Sequence, residues 1–464
     1  MISVITQGHK SMFPASDVCR LFFGSSIRIE KNRIEIDCPY EYQITSRVDV
    51  DGIVSTQAAG LAGRNTIKSV AQIPANREIK RQLYRVLSEI TGICFPWGSL
   101  TGIRPTLVAS EIESVEAMTS MYDVRPDKAQ LAIRTAREEA RILEKTDERD
   151  VFVYIGIPFC PGRCTYCSFI TQDNFRNSGL LPDYCDAVIR EIRAMSGALK
   201  RVRAVYIGGG TPTVMEDPLL SRFLNDCLGL IRPDEGAEIT LEAGRPDTMS
   251  EQKLLSIRRA GIGRICINPQ TLIDRTLRTI GRKHTSDQFY KAYEWARKVG
   301  FSSINTDLIA GLPGETEQDF IYSMEHILTR MPESITVHAL CKKRGSNLDT
   351  EQILSRFGDE PADGMVTYAS SRIIQSGYHP YYLYKQKNTV GALENTGFAK
   401  EGKECLYNVA MMSDQRTVIA FGAGISKRLV INGKFKRLDC IRHPREYIDR
   451  VEETIRKKIE FFEV

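Results

Sequence analysis

Long apolar runs, a strong net charge and dense cysteine are all missing from this sequence. None of its 464 residues belong to a run of 18 or more apolar residues, so no membrane span is predicted. Its first residues, MISVITQGHKSMFPASD, are neither a long apolar run nor rich in arginine, and we expect no secretory signal. A net charge of +5 is too small over this length to indicate a nucleic-acid partner. The composition predicts a soluble, cytoplasmic protein.

Histidine is scarce, and the patterns of several common enzyme classes are absent. The six histidines show no paired metal-ligand spacing, and no Ser-His-Asp arrangement or dinucleotide fingerprint stands out. The segment GGGTPT lacks the lysine of a phosphate-binding loop. Nine of the twelve cysteines are scattered, unlike those of a short secreted disulfide scaffold. Lone cysteines among apolar neighbours, such as Cys227 and Cys266, are predicted to be small buried residues.

The middle of the chain, residues 151–345, alternates short apolar runs with segments at helical spacing. The runs are VFVYIGI, AVYIGG, EITLEA, GRICIN, SSINTDLIAG and SITVHAL. Repeated βα units of this kind build a parallel sheet with helical crossovers. Six units are too few for the closed eight-fold barrel. We therefore predict an α/β core domain that is an open (β/α)6 partial TIM barrel.

The two flanking parts have different patterns. Residues 1–150 begin with an alternating stretch around Lys31-Asn32 that is typical of paired strands, and two helical segments follow. We predict an α+β N-terminal domain there. Residues 346–464 are less regular and contain two helical stretches, and we predict a mainly helical C-terminal domain that caps the barrel mouth.

The strongest local pattern is the loop Cys160-Pro-Gly-Arg-Cys164-Thr-Tyr-Cys167, directly after the first apolar run. Three thiolates in one loop can hold three corners of a metal cluster, and an iron–sulfur cube with three cysteine ligands leaves one iron open to another ligand. Structural zinc usually takes four nitrogen or sulfur ligands in paired spacings, and no second CxxC or HxxxH follows. Zinc with one distant ligand stays the alternative.

The CxxxCxxC spacing after the first strand of serial βα units resembles the radical S-adenosylmethionine (SAM) superfamily. This resemblance implies that the three cysteines hold a [4Fe–4S] cluster whose open iron binds SAM. The turn that follows the second run matches the family element that contacts the SAM amino group, here Gly209, Gly210 and Thr211. A glycine turn of this kind can bring backbone N–H groups close to a charged ligand.

A narrower resemblance is to the oxygen-independent coproporphyrinogen III oxidases, and within them to the HemZ-type branch of coproporphyrinogen dehydrogenases. It implies SAM contacts by four polar residues near successive strand ends, Glu242, Gln270, Arg282 and Asp307, and it implies that Tyr154 lies near the cluster and SAM. It also implies that Ala339 packs the adenine and that Tyr166 touches a second SAM. The carboxyl-terminal ends of the parallel strands form the face where barrel enzymes place their catalytic residues.

The family implies the oxidative decarboxylation of coproporphyrinogen III to protoporphyrinogen IX in anaerobic heme biosynthesis, with an electron donor such as flavodoxin or ferredoxin. The chain departs from the oxidase pattern at Gly156, where the oxidases have histidine, and at Phe169, where they have a further cysteine. Phe169 is shared with a heme-chaperone branch. A heme chaperone, or a radical SAM enzyme acting on another tetrapyrrole, therefore stays open.

A substrate with four propionates needs cations and aromatic surface around it, because unpaired buried carboxylates are costly. The sequence offers such cations at Arg104, Lys342, Lys343, Arg344, Lys385 and Lys387. In the tyrosine-rich segment YHPYYLYKQKN, we predict that Tyr382, Lys385 and Gln386 face the barrel mouth.

Overall fold

The computed structural model describes residues 1–60, 63–69, 73–102, 104–167, 172–173, 179–341, 348, 360–430 and 434–464. The chain forms two compact units. The first comprises Met1–Ala136, Asp349–Asp363 and Leu383–Asn395, and the second comprises Arg137–Leu348, Gly364–Tyr382 and Thr396–Val464. Residues after 345 therefore contribute to both units, although the sequence analysis expects them to form one domain. That they cap a bound substrate stays a prediction.

The first unit is built on a six-stranded sheet, whose strands are β1 Ile2–Gln7, β2 Ile27–Glu30, β3 Arg33–Ile36, β4 Tyr42–Val48, β5 Val54–Gly60 and β6 Gly63–Ser69. They lie in the order β2-β3-β1-β4-β5-β6. The predicted hairpin around Lys31-Asn32 is confirmed: β2 and β3 pair antiparallel, and Asn32 takes a positive φ of 60° in the turn. The strands β1 and β4 are parallel neighbours.

Two helices of the first unit, Phe13–Phe23 and Ala75–Thr91, pack on this sheet. Their apolar stripes and the inward residues of the strands form one buried core that includes Val4, Val18 and Leu83. Three more helices follow, Pro105–Ile112, Val115–Tyr122 and Pro126–Leu143. The last of these carries the chain into the second unit.

The second unit contains the predicted βα series. Its parallel strands are β7 Val151–Ile157, β10 Val202–Gly209, β11 Glu238–Glu242, β12 Arg264–Cys266, β13 Ser303–Ala310 and β14 Ser334–Ala339. Between β7 and β10, the short strands β8 (Phe159–Cys160) and β9 (Gln172–Asp173) pair with each other in a separate sheet. The six parallel strands lie side by side in chain order, as the open (β/α)6 arrangement requires, so this prediction is confirmed. The crossovers contain the helices Leu180–Ala194, Asp217–Ile231, Glu251–Arg259, Asp274–Thr279, Ser286–Val299 and Glu317–Thr329. Because both faces of such a sheet are covered, most residues of β7, β10, β13 and β14 are buried, polar ones included.

The C-terminal part adds strands to both edges of this sheet. The strand β17, Thr417–Gly422, pairs parallel with β7, and β18 (Ile425–Val430) and β19 (Lys434–Asp439) continue the sheet antiparallel. At the other edge lie β16, Glu394–Ala399, and β15, His379–Lys385. The helices of this part are Glu360–Gln375, Leu406–Ser413, Pro444–Asp449 and Val451–Phe462. The sequence analysis expects helices here and misses the five strands, because their partners lie far away along the chain.

Residues before the helix Leu406–Ser413 close the amino-terminal ends of the parallel strands. The buried guanidinium of Arg264 donates to the Lys403 carbonyl at 2.6 Å and to Ser334 Oγ at 2.6 Å. The carboxylate of Glu238 accepts from Cys405 Sγ at 3.1 Å and from the Leu406 amide at 3.2 Å. The helix Leu406–Ser413 therefore starts at the amino-terminal ends of the parallel strands. Among the helices of the described residues, none has the length and hydropathy to cross a bilayer.

Candidate active site

The loop with the three cysteines leaves the carboxyl end of β7. Cys164 is buried, Cys160 and Cys167 are half-buried, and none of them forms a disulfide. Cys160 Sγ lies 3.1 Å from Thr211 Oγ1, and burial raises the pKa of the Cys160 thiol to about 11. The structure thus keeps three free thiols together in one short loop, which is the ligand set of an iron–sulfur cube with one open iron.

Two arginines contact this loop and help to hold it in place. Arg245, which the sequence analysis misses, is buried and points Nη1 at Cys164 Sγ from 3.9 Å, while a bidentate pair with Asp247 fixes its orientation. Its place in GRPD, just after β11, is the pattern that could have indicated it. Arg282 donates to Tyr166 Oη at 3.1 Å and to the carbonyls of Gly244 and Asn268, both at 2.8 Å. Arg282 thus joins the loop to the neighbouring strand ends.

The glycine-rich turn after β10 lies directly against the cysteine loop. The Gly210 and Thr211 amides donate to the carbonyls of Ile157 and Phe159, each at 2.7 Å. Gly209 has a φ of +107°, and a Cβ at Gly210 would lie 2.4 Å from the Phe159 carbonyl oxygen. The expectation that this turn presents N–H groups to a ligand needs correction, because protein acceptors already take these amides. Carbonyl oxygens are the backbone groups that such a turn can offer to an ammonium.

Three tyrosines stack beside this turn. Tyr154 of β7 and Tyr206 of β10 lie with their ring centroids 6.3 Å apart, and Tyr407 stacks on both, at 5.9 and 4.6 Å. The Tyr206 hydroxyl donates to Glu242 Oε1 at 2.5 Å, and the Gly209 amide donates to Glu242 Oε2 at 3.0 Å. Burial raises the pKa of Glu242, and these two donors act in the opposite direction. The sequence analysis misses Tyr407 because it belongs to a helix that lies far along the chain from the other two tyrosines.

A cavity of about 390 Å³ opens beside these side chains within the second unit. Its walls include Tyr154, Gly209, Gly210, Glu242, Met411 and Arg442. Arg442 is the one cationic residue among the described residues that line it. Ala423, which follows β17 and lines the cavity, lies close to Gly156 of β7. This approach requires glycine, because a Cβ at position 156 would lie 1.9 Å from the Ala423 carbonyl oxygen. No side chain, histidine included, fits at position 156 without moving this wall.

The remaining predicted contact residues lie just after β12, within β13 and at the end of β14. Gln270 follows β12 with a φ of 69°, and its amide donates to the Asp307 carbonyl at 3.0 Å. Gln270 Oε1 and Asn268 Oδ1 are buried acceptors without a hydrogen-bond donor in the protein. Asp307 accepts from Asn305 Nδ2 at 2.7 Å, and Ala339 is buried on the next strand. Unpaired buried acceptors are costly, so these two amide oxygens fit a ligand that donates hydrogen bonds.

Several residues that the sequence analysis considers for the substrate are committed elsewhere. In the first unit, the Lys385 ammonium is buried, donates to the Leu100 carbonyl at 2.8 Å and lies 5.5 Å from the Trp97 ring centroid. Burial lowers the pKa of Lys385 to about 7. The Lys385 ammonium is therefore not available to substrate carboxylates, contrary to the prediction. In the second unit, Tyr382 is buried with its hydroxyl 3.2 Å from Thr336 Oγ1. Lys342, Lys343, Arg344 and Phe169 lie outside the described residues.

Comparisons with known proteins agree with this architecture. Residues 154–327 match the family model described as the Radical SAM superfamily. The chain is 34% identical over 397 residues to the oxygen-independent coproporphyrinogen-III oxidase-like protein HemZ of Bacillus subtilis, covering 82% of this chain and 79% of that protein. It is 30% identical over 278 residues to the heme chaperone HemW of the same organism, covering 58% and 69%.

A solved structure shares the fold. The coproporphyrinogen III oxidase HemN from Escherichia coli, a radical SAM enzyme, superposes with a TM-score of 0.50 at 20% identity, covering 69% of this chain and 73% of that one. The site and fold define a radical SAM protein. Within that superfamily, the chain belongs to the family of oxygen-independent coproporphyrinogen-III oxidase-like proteins.

The cofactors of this superfamily, a [4Fe–4S] cluster and SAM, are those of this chain. The residues present fit them. Three free thiols in one loop are the donor set of such a cluster, and the unpaired amide oxygens of Gln270 and Asn268 suit the hydroxyl and amino donors of a nucleoside.

Proposed function

We propose that this protein is a radical SAM enzyme that converts propionate side chains of coproporphyrinogen III to vinyl groups, giving protoporphyrinogen IX. The observation that carries the proposal is the cavity of about 390 Å³, which joins the glycine turn and Glu242 to tyrosines, methionines and one arginine. An apolar macrocycle with carboxylates requires aromatic surface together with a cation. The name of the relative HemZ supports the same substrate class.

In this proposal Cys160, Cys164 and Cys167 hold the cluster. When bound, the reduced cluster and SAM supply a 5′-deoxyadenosyl radical. The reaction converts –CH₂–CH₂–COO⁻ to –CH=CH₂, releasing CO₂, one hydrogen atom to that radical and one electron to a one-electron acceptor. A flavodoxin or ferredoxin is the proposed source of the electron that reduces the cluster.

The SAM site we propose follows the strand ends. The carboxylate of Glu242 and the carbonyls of the glycine turn would receive the SAM ammonium, while Gln270 and Asp307 would accept from the ribose. Tyr154 would lie between SAM and the substrate cavity, since its hydroxyl is packed against Gly209. Arg282 and Tyr166 would position the loop, because Arg282 Nη1 already donates to the Tyr166 hydroxyl. Ala339 would pack the adenine.

The substrate side of the cavity would be formed by the C-terminal part. Tyr407 and Met411 supply apolar surface, and Arg442 supplies a cation for a propionate. The stacked rings of Tyr154, Tyr206 and Tyr407 would screen the site from solvent and from dissolved oxygen, which would otherwise react with the radical.

A second candidate function is heme binding without turnover. It is favoured by the 30% identity to a heme chaperone. In that case the same cavity would hold heme, and SAM would not be consumed when a porphyrinogen is added.

One anaerobic assay separates these functions. Reconstituted protein is incubated with dithionite, SAM, coproporphyrinogen III and a one-electron acceptor, and 5′-deoxyadenosine and tetrapyrroles are followed by chromatography and mass. Substrate-dependent deoxyadenosine with loss of two CO₂ is the expected result. Stoichiometric heme binding with no substrate-dependent deoxyadenosine would contradict the oxidase proposal and favour the chaperone.

The variant Arg442→Gln tests the substrate side of the cavity. Because a charge-assisted bond to a carboxylate is lost, KM for coproporphyrinogen should rise about tenfold, while SAM cleavage without substrate stays unchanged. Arg445→Gln is the matched control, since Arg445 is exposed and does not line the cavity. An equal KM in both variants would show that Arg442 does not contact the substrate.

A further inference from the structure

The ion pair between Arg245 and Asp247 lies beside the cysteine loop, and the SAM and substrate contacts proposed above do not use it. The Arg245 side chain is 3% exposed. Its backbone is also fixed, since the Arg245 carbonyl accepts from the Thr248 amide at 3.1 Å and from Thr248 Oγ1 at 2.8 Å. The guanidinium is therefore held in one place relative to the loop.

The guanidinium divides its donors between two partners. Nε and Nη2 donate to the two carboxylate oxygens of Asp247, at 2.8 and 2.7 Å. Nη1 donates to Cys164 Sγ, at 3.9 Å. The ion pair is neutral as a whole, but its cationic partner is the one that contacts the sulfur. It therefore acts on Cys164 as a fixed dipole with the positive end nearest to the sulfur.

The ionisable side chains next to this pair act elsewhere. Arg282 donates to the Tyr166 hydroxyl and to backbone carbonyls. His284 is buried, and burial together with the Arg282 charge lowers its pKa to about 3, so this ring is neutral at neutral pH. The positive charge that Cys164 Sγ meets therefore comes from Arg245.

A cation that donates to a cluster ligand changes the energy of electron transfer. With Cys164 as a ligand, as proposed above, reduction by one electron adds a negative charge close to Arg245. Net charge and hydrogen bonds to sulfur are among the factors that set the potential of such clusters, and a positive donor favours the reduced state. Burial strengthens the effect, because solvent screens a buried charge weakly.

Packing alone does not require this charge. A buried ion pair is costly, and apolar residues of similar volume often fill the same space at no loss of stability. The direction of Nη1 towards the sulfur gives the buried charge a use that an apolar side chain would lack.

We propose that Arg245 raises the reduction potential of the cluster through its hydrogen bond to Cys164 Sγ, and that Asp247 limits this rise. In the electron transfer that Arg245 assists, a one-electron carrier of the flavodoxin or ferredoxin class is oxidised and the cluster is reduced. Arg245 gains and loses no proton in this step. The inference rests on the proposed cluster ligands and is independent of the tetrapyrrole substrate.

The test is a redox titration of the full chain with its cluster reconstituted, without SAM and without a tetrapyrrole. Dithionite and dye mediators set the potential, and the EPR signal of the reduced cluster gives the midpoint. Arg245→Gln should lower the equilibrium constant for reduction by about tenfold, which is about 59 mV for a one-electron couple. Asp247→Asn removes the opposing charge and should raise the midpoint. Arg259→Gln, at an exposed position on the next helix, is the control and should match the wild type.

The opposite signs separate charge from packing, because loosening the loop would move both midpoints in the same direction. Arg245→Lys keeps the charge, so its midpoint should lie between those of the wild type and Arg245→Gln. An unchanged midpoint in Arg245→Gln would overturn the proposal. So would shifts of the same sign in Arg245→Gln and Asp247→Asn.

A measurement on the wild type applies even when a variant fails to bind iron. Protein carrying ¹⁵N in its arginine guanidinium groups should show a ¹⁵N coupling in pulsed EPR of the reduced cluster, and absence of this coupling would overturn the proposal. A wild-type chain that binds no iron would overturn the cluster ligands as well. A cluster whose midpoint does not depend on Arg245 would overturn this inference alone and leave the proposed function intact.

Discussion

A buried ion pair in the second unit provides the sharpest stability prediction. The side chains of Lys458 and Glu191 are fully buried and paired. Glu191 Oε2 also accepts from the Gly422 amide at 2.9 Å and from Tyr447 Oη at 2.6 Å. Burial is the largest single influence and lowers the pKa of Lys458, but the Glu191 charge and the hydrogen bonds to Glu191 and Cys440 together outweigh burial and hold this pKa above its usual value. The ammonium is therefore charged at neutral pH, and it joins the helix Val451–Phe462 to the strand that borders the cavity.

The substitution Lys458→Met leaves the Glu191 carboxylate buried without its counter-ion. We expect the free energy of unfolding to fall by about 3–5 kcal/mol. The double variant Lys458→Met/Glu191→Gln removes both charges and keeps an acceptor for the Gly422 amide, so it should recover to within about 2 kcal/mol of the wild type. Lys457→Met, which removes a surface partner of Glu453, is the control and should cost less than about 1 kcal/mol.

Urea denaturation measures these differences, and hydrogen exchange of the peptide containing residues 417–424 localises them. Exchange there should accelerate in the single variant, because the Gly422 amide loses a fixed acceptor. A single variant within about 1 kcal/mol of the wild type would refute the reasoning. So would a double variant no more stable than the single one, since the loss would then come from packing and not from charge.

Three further predictions follow from the site and its support. Cys164→Ala should lose most of its bound iron in an anaerobic iron assay, whereas Cys227→Ala, at a buried position outside the loop, should keep it; equal loss would remove Cys164 from the ligand set. Gly156→Ala should cost about 3 kcal/mol in urea denaturation, because its Cβ would lie 1.9 Å from a backbone oxygen. Gly229→Ala, with nothing within 4 Å of its Cβ, should be neutral or stabilising, and similar losses in both would contradict the steric argument. Burial raises the pKa of Glu315 to about 7 from 4.5, so stability should fall as pH rises through this interval, by up to about 3 kcal/mol. Glu315→Gln should abolish this fall, and an unchanged pH profile would show that another group causes it.

Local pattern in the sequence was enough to predict the core of the fold and the cluster loop. The alternation of strands and helices can be recognised because short buried strands and amphipathic helices repeat their apolar residues with different periods along the sequence. The three cysteines lie within eight residues of one another, so their proximity needs no tertiary information. The hairpin around Lys31-Asn32 is local for the same reason.

Contacts between distant segments could not be predicted in this way. Arg245 reaches Cys164 across 81 residues, and Tyr407 reaches the Tyr154 ring across more than 250. Lys385 resembles a surface cation in sequence, yet its ammonium is buried against the Leu100 carbonyl. Burial and partner are properties of the packed chain, and a single sequence does not state them.

The sequence by itself determined the class of chemistry, since a cluster loop and the strand that carries it are short-range features. Only the tertiary structure decided the shape of the cavity. The strand Thr417–Gly422 pairs beside Val151–Ile157 although more than 250 residues separate them, and an apolar run of six residues has no preference for one sheet edge over another. That pairing brings Ala423 against Gly156 and Arg442 to the cavity. The physical reason is that strand pairing satisfies backbone hydrogen bonds without regard to sequence distance, whereas periodicity reports only on near neighbours.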